Sequence, residues 1–135
     1  MLDRLIISAS LATLVAVSAA PAAEKSMNLA RTAKSGVDSG LAYSHRLDRN
    51  CNPQPLTITI TKQPMNGTAS VLDADEVVPA STPASGSTGA CAGKTVKAKK
   101  IMYRSNLGFR GNDTVSYDSD GAGTLSHTTI AVTVQ

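Results

Sequence analysis

Apolar and polar residues alternate along several short stretches of the chain, and this period of two predicts β-strands. In residues 56–61 the aliphatic residues alternate with threonines, and every residue after Leu56 is β-branched. A second stretch places four residues in one phase, which predicts a half-buried strand: Leu41, Tyr43, His45 and Leu47. Each of these strands is expected to have one face towards a core and one towards solvent.

Further strands are predicted at residues 68–72, 100–104, 114–118 and 128–134, where Thr128, Ile130 and Val132 share one phase. Asn66-Gly67 is a strong hairpin signal, and residues 118–123 are rich in the aspartate and glycine of turns. After the N-terminal segment no helical period extends beyond a turn or two. The pattern therefore predicts an all-β fold, an antiparallel β-sandwich of several short strands.

Two stretches lack the alternation. Residues 23–36 are polar, small and aperiodic, which predicts a loosely ordered, flexible lead-in to a domain spanning residues 37–135. Residues 73–93 contain acidic residues, prolines and a run of small residues, which predicts a long loop.

The N-terminus has the pattern of a secretory signal peptide over residues 1–22. No charged residue occurs from Leu5 to Ala20, and small residues follow, so cleavage after Ala22 is expected. An uncleaved membrane anchor is the alternative, but the apolar run is shorter than the ~20 residues that a spanning helix needs and is interrupted by hydroxyl residues. We expect a secreted or periplasmic protein with no transmembrane span after cleavage.

The amino-acid composition indicates that the fold depends on a covalent cross-link. Aromatic residues make up 3% of the chain, so the core must rely on aliphatic side chains. The only two cysteines, Cys51 and Cys91, are therefore expected to form a disulfide in an exported protein, and closing that loop contributes roughly 4 kcal/mol. Two free thiols, or a metal site completed by His45 and His127, are the alternatives. A net charge of +3 is too mild for a dedicated nucleic-acid binder.

Residues 103–123, YRSNLGFRGNDTVSYDSDGAG, resemble a stretch of the immunoglobulin-like and cadherin-like repeats of large bacterial surface proteins. Residues 56–71, LTITITKQPMNGTASV, are similar to the strand, turn and strand that precede it in those repeats. Seven positions carry the match: Tyr103, Gly108, Phe109, Gly111, Asp113, Tyr117 and Gly121. The chain departs from the family pattern at Ser105, where proline is usual, and at Val115, where phenylalanine is usual.

The resemblance implies an immunoglobulin-like antiparallel β-sandwich of about seven short strands, present here as a single copy with an added disulfide. It places Phe109 as a plug at one end of the sandwich. Asp113 is expected to accept backbone hydrogen bonds from the turn around Phe109. In surface proteins such repeats look like spacers or cell-adhesion modules.

His45 is the candidate for catalysis. With Asp48 to orient it and a serine nucleophile, it would make a small exported hydrolase. No G-x-S-x-G nucleophile elbow is present, and His45 shares its phase with Leu41 and Leu47, so a packed histidine is the competing interpretation.

Two sets of charged residues are candidate binding sites. Asp113, Asp118 and Asp120 supply hard oxygen ligands for calcium, although an Asp-Gly turn explains the last two equally well. The basic cluster is Lys94, Lys97, Lys99 and Lys100. It offers an anion contact, but alternation splits Lys97 and Lys99 from Lys100, and edge-strand lysines also prevent aggregation. The acidic residues Asp73, Asp75 and Glu76 are expected in a solvated loop.

The sequence thus favours an exported, non-enzymatic immunoglobulin-like module with a binding or structural role in the cell envelope or extracellular space. Its partner would be an envelope or extracellular protein or glycan, and no cofactor is expected unless calcium binds. A calcium-stabilised adhesion module is the alternative, and a hydrolase using His45 is the alternative of another class.

Overall fold

The computed structural model describes residues 23–80 and 89–135 and contains seven β-strands and one short 3-10 turn. The predicted signal peptide, residues 1–22, lies outside the described residues. The strands are β1 Ala23–Ala33, β2 Ser39–Ser44, β3 Thr57–Lys62, β4 Gly67–Val77, β5 Thr95–Ser105, β6 Gly111–Gly121 and β7 Thr124–Val134, with the 3-10 turn at Gly89–Cys91. In the described part of the chain, no helix is long and apolar enough to cross a membrane.

The strands form two sheets, ordered β1-β7-β6-β3 and β2-β5-β4. This confirms the predicted all-β sandwich of about seven strands. The neighbours β3-β6-β7 and β2-β5-β4 are those of the two sheets of an immunoglobulin-like sandwich. Every pairing is antiparallel except that of β1 with β7, which is parallel.

The strand β1 corrects the prediction of a loosely ordered lead-in over residues 23–36. It pairs without interruption from Ala23 opposite Thr124 to Ala33 opposite Val134. Most of its side chains are exposed, so its backbone hydrogen bonds to β7 hold this edge strand, and Leu29 and Ala33 add contacts with the core between the sheets. Leu29 and Ala33 share one phase, but the charged Arg31 stands between them in that phase, so the period of two is too weak to reveal the strand.

The main core lies between the sheets and is mostly aliphatic, although the buried Tyr103 and Tyr117 belong to it. Val115 and Tyr117 of β6 face it, with Ile130 and Val132 of β7, and all four are at most 4% exposed. The facing sheet contributes five buried residues: Leu41, Ala42, Ala69, Ile101 and Tyr103. Each fully buried aliphatic side chain stabilises the fold by about 1.5–3 kcal/mol.

In β2 the predicted alternation is wrong. The register with β5 shifts between Gly40 and Ala42, because Leu41 is an extra residue in a β-bulge. Leu41 and Ala42 are consequently both buried, whereas Tyr43 is 42% exposed. Across the bulge, Arg31 of β1 donates from Nε to the Leu41 carbonyl at 2.7 Å and links the two sheets.

The Asn66-Gly67 turn does not close a hairpin, contrary to prediction. It leads from β3 in one sheet to β4 in the other, and these strands do not pair with each other. The tight hairpin is instead that of β6 and β7, whose two turn residues Ala122 and Gly123 both have positive φ, at 46° and 76°. Such values match a type I′ turn, which suits the twist of an antiparallel pair.

The predicted loop over residues 73–93 is shorter than expected, because β4 continues to Val77. Residues 81–88 lie outside the described residues. The predicted disulfide is confirmed: Cys51 and Cys91 are bonded, with their Cα atoms 5.6 Å apart. Cys91 is fully buried in a second, smaller core with Leu47, Val78 and Val96.

Candidate functional site

Three connections meet at one end of the sandwich, which we call the disulfide end. They are residues 45–56 between β2 and β3, the described residues 78–80 and 89–94 between β4 and β5, and the turn between β6 and β7. The disulfide joins the first to the second, and Arg46 Nη1 donates to the Gly121 carbonyl at 2.6 Å, joining the first to the third. A rigid scaffold that presents fixed loops at one end is a common arrangement for binding.

Asp48 shapes the loop that carries Cys51. Its Oδ1 accepts the N–H groups of Asn50 and Asn52 at 2.8 and 2.9 Å. Hydrogen bonds from the backbone and side chain of Asn52 hold the pKa of Asp48 below its ordinary value. Cys51 itself has a positive φ of 67°, a strained value for a residue with a side chain that this bonded loop maintains.

His45 is paired with Glu76 and not with Asp48 as predicted. Its Nδ1 lies 3.3 Å from Glu76 Oε2, and the two side chains are 17% and 18% exposed. Residues 73–77 form the end of β4, which brings Glu76 to β2 across the disulfide end. Among the described residues, no serine hydroxyl forms a hydrogen bond with His45, so the arrangement lacks the hydrogen bond by which a general base activates a nucleophile.

The four lysines do not form one cluster. Lys97 and Lys99 lie on one face of β5, where their Nζ atoms contact Asp75 and Asp73 of β4 at 2.7 and 2.5 Å. Asp73 and Asp75 therefore belong to a strand and not to the solvated loop that was predicted.

The other two lysines are elsewhere. Lys100 lies on the opposite face of β5, with its Nζ 5.2 Å from the centre of the Tyr43 ring, a cation–π distance. Lys94 precedes β5 and is exposed. Its backbone N–H donates to the Cys91 carbonyl, and its own carbonyl accepts from Val78. Only Lys97 and Lys99 thus act on the same surface.

The predicted calcium ligands are not brought together. Asp113 faces the core in phase with Val115 and Tyr117, whereas Asp118 and Asp120 fall in the opposite phase of β6. Asp118 Oδ1 contacts His127 Nδ1 at 2.6 Å. In the parts of the chain that the structure covers, no three histidine, cysteine or acidic side chains are placed to hold a metal ion.

Asp113 instead holds the turn between β3 and β4, and not the Phe109 turn as predicted. Its carboxylate accepts the N–H groups of Met65 and Asn66 at 2.9 and 3.0 Å, and the Tyr103 hydroxyl at 3.2 Å. This residue is structural, because these bonds fasten one sheet to the other at the end opposite the disulfide.

A cleft of about 290 Å³ opens at the disulfide end, between residues 53–56 and β5. We call it the lysine cleft. Its ionisable side chains are His45, Arg46, Asp73, Lys97 and Lys99. Lys97 and Lys99 are each paired with an aspartate of β4, whereas among the described residues Arg46 has no acidic partner, so Arg46 is the group through which this cleft favours an anionic partner.

The lysine cleft borders a second, polar space between the two sheets. This serine cavity, of about 180 Å³, is lined by Ser44, His45, Arg46, Leu56, Ser119, Gly121, Thr124 and Ser126. Ser44, His45, Arg46 and Leu56 line both spaces, so the two meet. A wider side cleft of about 580 Å³, between the edges of β1 and β2, also reaches Ser44, Ser119 and Ser126.

Arg46 and the serines were not candidate site residues from the sequence, and Glu76 was expected in a solvated loop. A signal for the serines was present, since Ser119 and Ser126 fall in the buried phases of their strands, where apolar residues are expected. Arg46 and Glu76 had no such signal, because their partners lie far away along the chain. Comparison of the chain with known protein families, with curated proteins and with solved structures finds no match to any of them.

Proposed function

We propose that this chain is an exported, non-enzymatic immunoglobulin-like module that binds an envelope or extracellular partner through its disulfide end. The disulfide supports export, because such bonds persist in oxidising compartments. The resemblance to bacterial immunoglobulin-like and cadherin-like repeats supports a role in binding or adhesion, here in a single copy.

The lysine cleft is the observation that carries the proposal. Arg46 lies on a loop fixed by a disulfide, and Lys97 and Lys99 lie on a rigid strand beside it. Groups that are already ordered lose little conformational entropy when a partner binds. Lys97 is 72% exposed, so its ammonium group remains accessible despite its contact with Asp75.

The test is binding of the purified, oxidised protein, carrying a fluorescent label, to envelope fractions and to host-cell surfaces. Lys97→Glu with Lys99→Glu should reduce binding at least tenfold. The matched control is Lys34→Glu with Lys62→Glu, the same charge change at the opposite end of the sandwich. Equal binding by the two double variants would show that the disulfide end is not the binding surface.

Export has its own test. N-terminal sequencing of the protein recovered from outside the cytoplasm should find Ala23 as the first residue. Recovery of the full-length chain in the membrane fraction would instead favour the uncleaved anchor.

A hydrolase remains the candidate of a different class, and the His45–Glu76 pair is the observation that favours it. A carboxylate that contacts one ring nitrogen orients the imidazole for proton transfer from the other. A broad substrate screen of the wild type and His45→Ala decides between the classes. Activity that is lost in His45→Ala, while the thermal transition is kept, would overturn the non-enzymatic proposal.

A further inference from the structure

The inner surface of the sandwich changes character along its length. In β6 the inward positions are Asp113, Val115, Tyr117 and then Ser119. In β7 the aliphatic inward positions end at Ile130 and are followed, towards the disulfide end, by Thr128 and Ser126. Ser119 and Ser126 lie opposite each other in the register of the two strands. Between the sheets, the middle of the sandwich is therefore apolar, and hydroxyl groups line the part towards the disulfide end.

Serine side chains are too small to fill the space between two stacked sheets, which lie about 10 Å apart. The serine cavity and the side cleft are the result, since both are lined by Ser44, Ser119 and Ser126. In the opposite half the same space is filled by Tyr103, Ile101 and their neighbours. Serine at these positions therefore leaves an unfilled space between the two sheets.

The serine hydroxyls that line these two spaces have no hydrogen-bond partner among the described residues. Within residues 23–80 and 89–135, the hydroxyl groups of Ser44, Ser119 and Ser126 form no hydrogen bond with another protein group. These hydroxyls are reached by solvent, since among the described residues Ser35 Oγ is the one buried side-chain polar atom without a partner, and water can therefore bond to them. A ligand that carries several hydroxyl groups can both donate to and accept from serine hydroxyls, in place of water.

The charged group at the mouth of the serine cavity indicates the charge of the ligand. Arg46 lines both the serine cavity and the lysine cleft, and its Nη1 donates to the Gly121 carbonyl. A guanidinium has five N–H donors, so Arg46 retains donors for a carboxylate. Lys97 and Lys99 lie farther out in the same cleft, each paired with an aspartate of β4.

We propose that the serine cavity and the lysine cleft together bind an acidic saccharide. The sugar hydroxyls bond to Ser44, Ser119 and Ser126, and the acid group of the sugar lies at Arg46. The volumes of the two spaces suit a small-molecule site. This inference rests on the proposed function, since it names the chemistry of the partner that the disulfide end would bind.

The experiment is titration calorimetry of the purified, oxidised protein with a trisaccharide of galacturonic acid. Its neutral galactose counterpart and inorganic phosphate serve as comparison probes. We expect the acidic trisaccharide to bind at least tenfold more tightly than the neutral one. Phosphate should not compete with it at equal concentration, because a bare anion lacks the hydroxyl contacts.

The decisive variant is Ser119→Val with Ser126→Val, which removes both inner hydroxyls and fills part of the cavity. It should weaken binding at least tenfold without lowering the thermal transition. The matched control is Ser116→Val with Thr129→Val, which changes an opposed hydroxyl pair on the outer face of the same two strands. Arg46→Lys should weaken binding of the acidic trisaccharide and leave binding of the neutral one unchanged. Lysine lacks the planar guanidinium whose paired N–H groups bind both oxygens of a carboxylate.

Equal binding by the inner-pair and outer-pair variants would overturn the inference. So would equal affinity for the acidic and neutral trisaccharides, or effective competition by phosphate. If neither trisaccharide binds but the lysine variant still loses envelope binding, the saccharide class is wrong and the proposed surface stands. If the lysine variant binds envelopes as the wild type does, the proposed function itself fails.

Discussion

The Tyr103 hydroxyl donates a hydrogen bond to Asp113 Oδ2 at 3.2 Å, and this bond connects the two sheets inside the domain. Tyr103 is fully buried and Asp113 is 6% exposed. The same carboxylate accepts three backbone N–H groups, from Met65, Asn66 and Thr114. One acidic side chain therefore fastens a turn, a strand and the facing sheet.

Replacing Asp113 by alanine should lower the free energy of unfolding by about 2–4 kcal/mol, because four donors lose their acceptor. Urea denaturation at neutral pH measures the loss. The control is Asp120→Ala, an exposed position on the same strand, which should change stability by less than about 0.5 kcal/mol. Similar losses in both variants would contradict the structural role of Asp113.

The contribution of Asp113 should disappear in acid. Burial by itself raises the pKa of this carboxyl, but the hydrogen bonds from Thr114, Asn66, Met65 and Tyr103 outweigh it and hold the pKa below the ordinary value of 3.8. A group with a lowered folded-state pKa stabilises the fold above its unfolded-state pKa and loses that effect as the pH falls through its folded-state pKa. The stability difference between wild type and Asp113→Asn should therefore shrink below about pH 4. A difference that is constant from pH 7 to pH 2 would refute this.

Tyr103 should make the protein sensitive to alkali. Burial, together with the charge and hydrogen bond of Asp113, raises the pKa of Tyr103 from 10.0 to about 12. Its contribution is complete below pH 10 and is lost as the pH rises through about 12, because the unfolded state then releases a proton that the folded state retains. Denaturation between pH 9 and about pH 12 should show a smaller loss of stability for Tyr103→Phe than for the wild type.

Removing the disulfide by Cys51→Ser with Cys91→Ser should cost roughly 4 kcal/mol, since the bond closes a loop across a sequence separation of 40 residues. Thermal unfolding with and without reductant measures the effect. Reductant should lower the transition of the wild type and leave the double variant unchanged. Hydrogen exchange should accelerate first around Leu47 and Val78, which pack against Cys91. A wild-type transition that is insensitive to reductant would contradict this prediction.

Gly67→Ala should destabilise the domain by about 2 kcal/mol or more, because a Cβ atom there would lie 2.9 Å from the Ser105 Cα and still closer to the Arg104 carbonyl. Both are backbone atoms of β5 and cannot move aside. The comparison is Gly123→Ala, where φ is 76° but no atom lies within 4 Å, so only about 1 kcal/mol of backbone strain is expected. Chemical denaturation of the two variants should show this order, and the reverse order would be evidence against the close approach.

Calcium should leave the thermal transition within about 1 °C of its value in chelator, because a ligand raises the transition only if it prefers the native state. Asp113 is committed to its hydrogen bonds and faces away from Asp118 and Asp120. Calorimetry at millimolar calcium checks this. A clear rise would mean that other residues form a site, and it would revive the calcium-stabilised alternative.

The sequence by itself determined the class of fold and its covalent link. Alternation in β3 and β7 depends only on neighbouring residues, so period two was visible without the tertiary structure. The pairing of Cys51 with Cys91 followed because no other cysteine exists.

Only the tertiary structure decided the features that depend on distant residues. The partner of His45 is 31 residues away at Glu76, and the backbone partners of Asp113 at Met65 and Asn66 are 48 and 47 residues away. The strand β1 forms because β7 offers an open edge, and the side chains that β1 packs against the core, Leu29 and Ala33, are too few to predict it. Ser119 and Ser126 become the lining of a cavity because two sheets stack over them with too little side-chain volume to fill the gap. The alternation that predicts a strand depends on neighbouring residues in the sequence. The contacts of His45, Asp113, Ser119 and Ser126 form only when distant parts of the chain pack together.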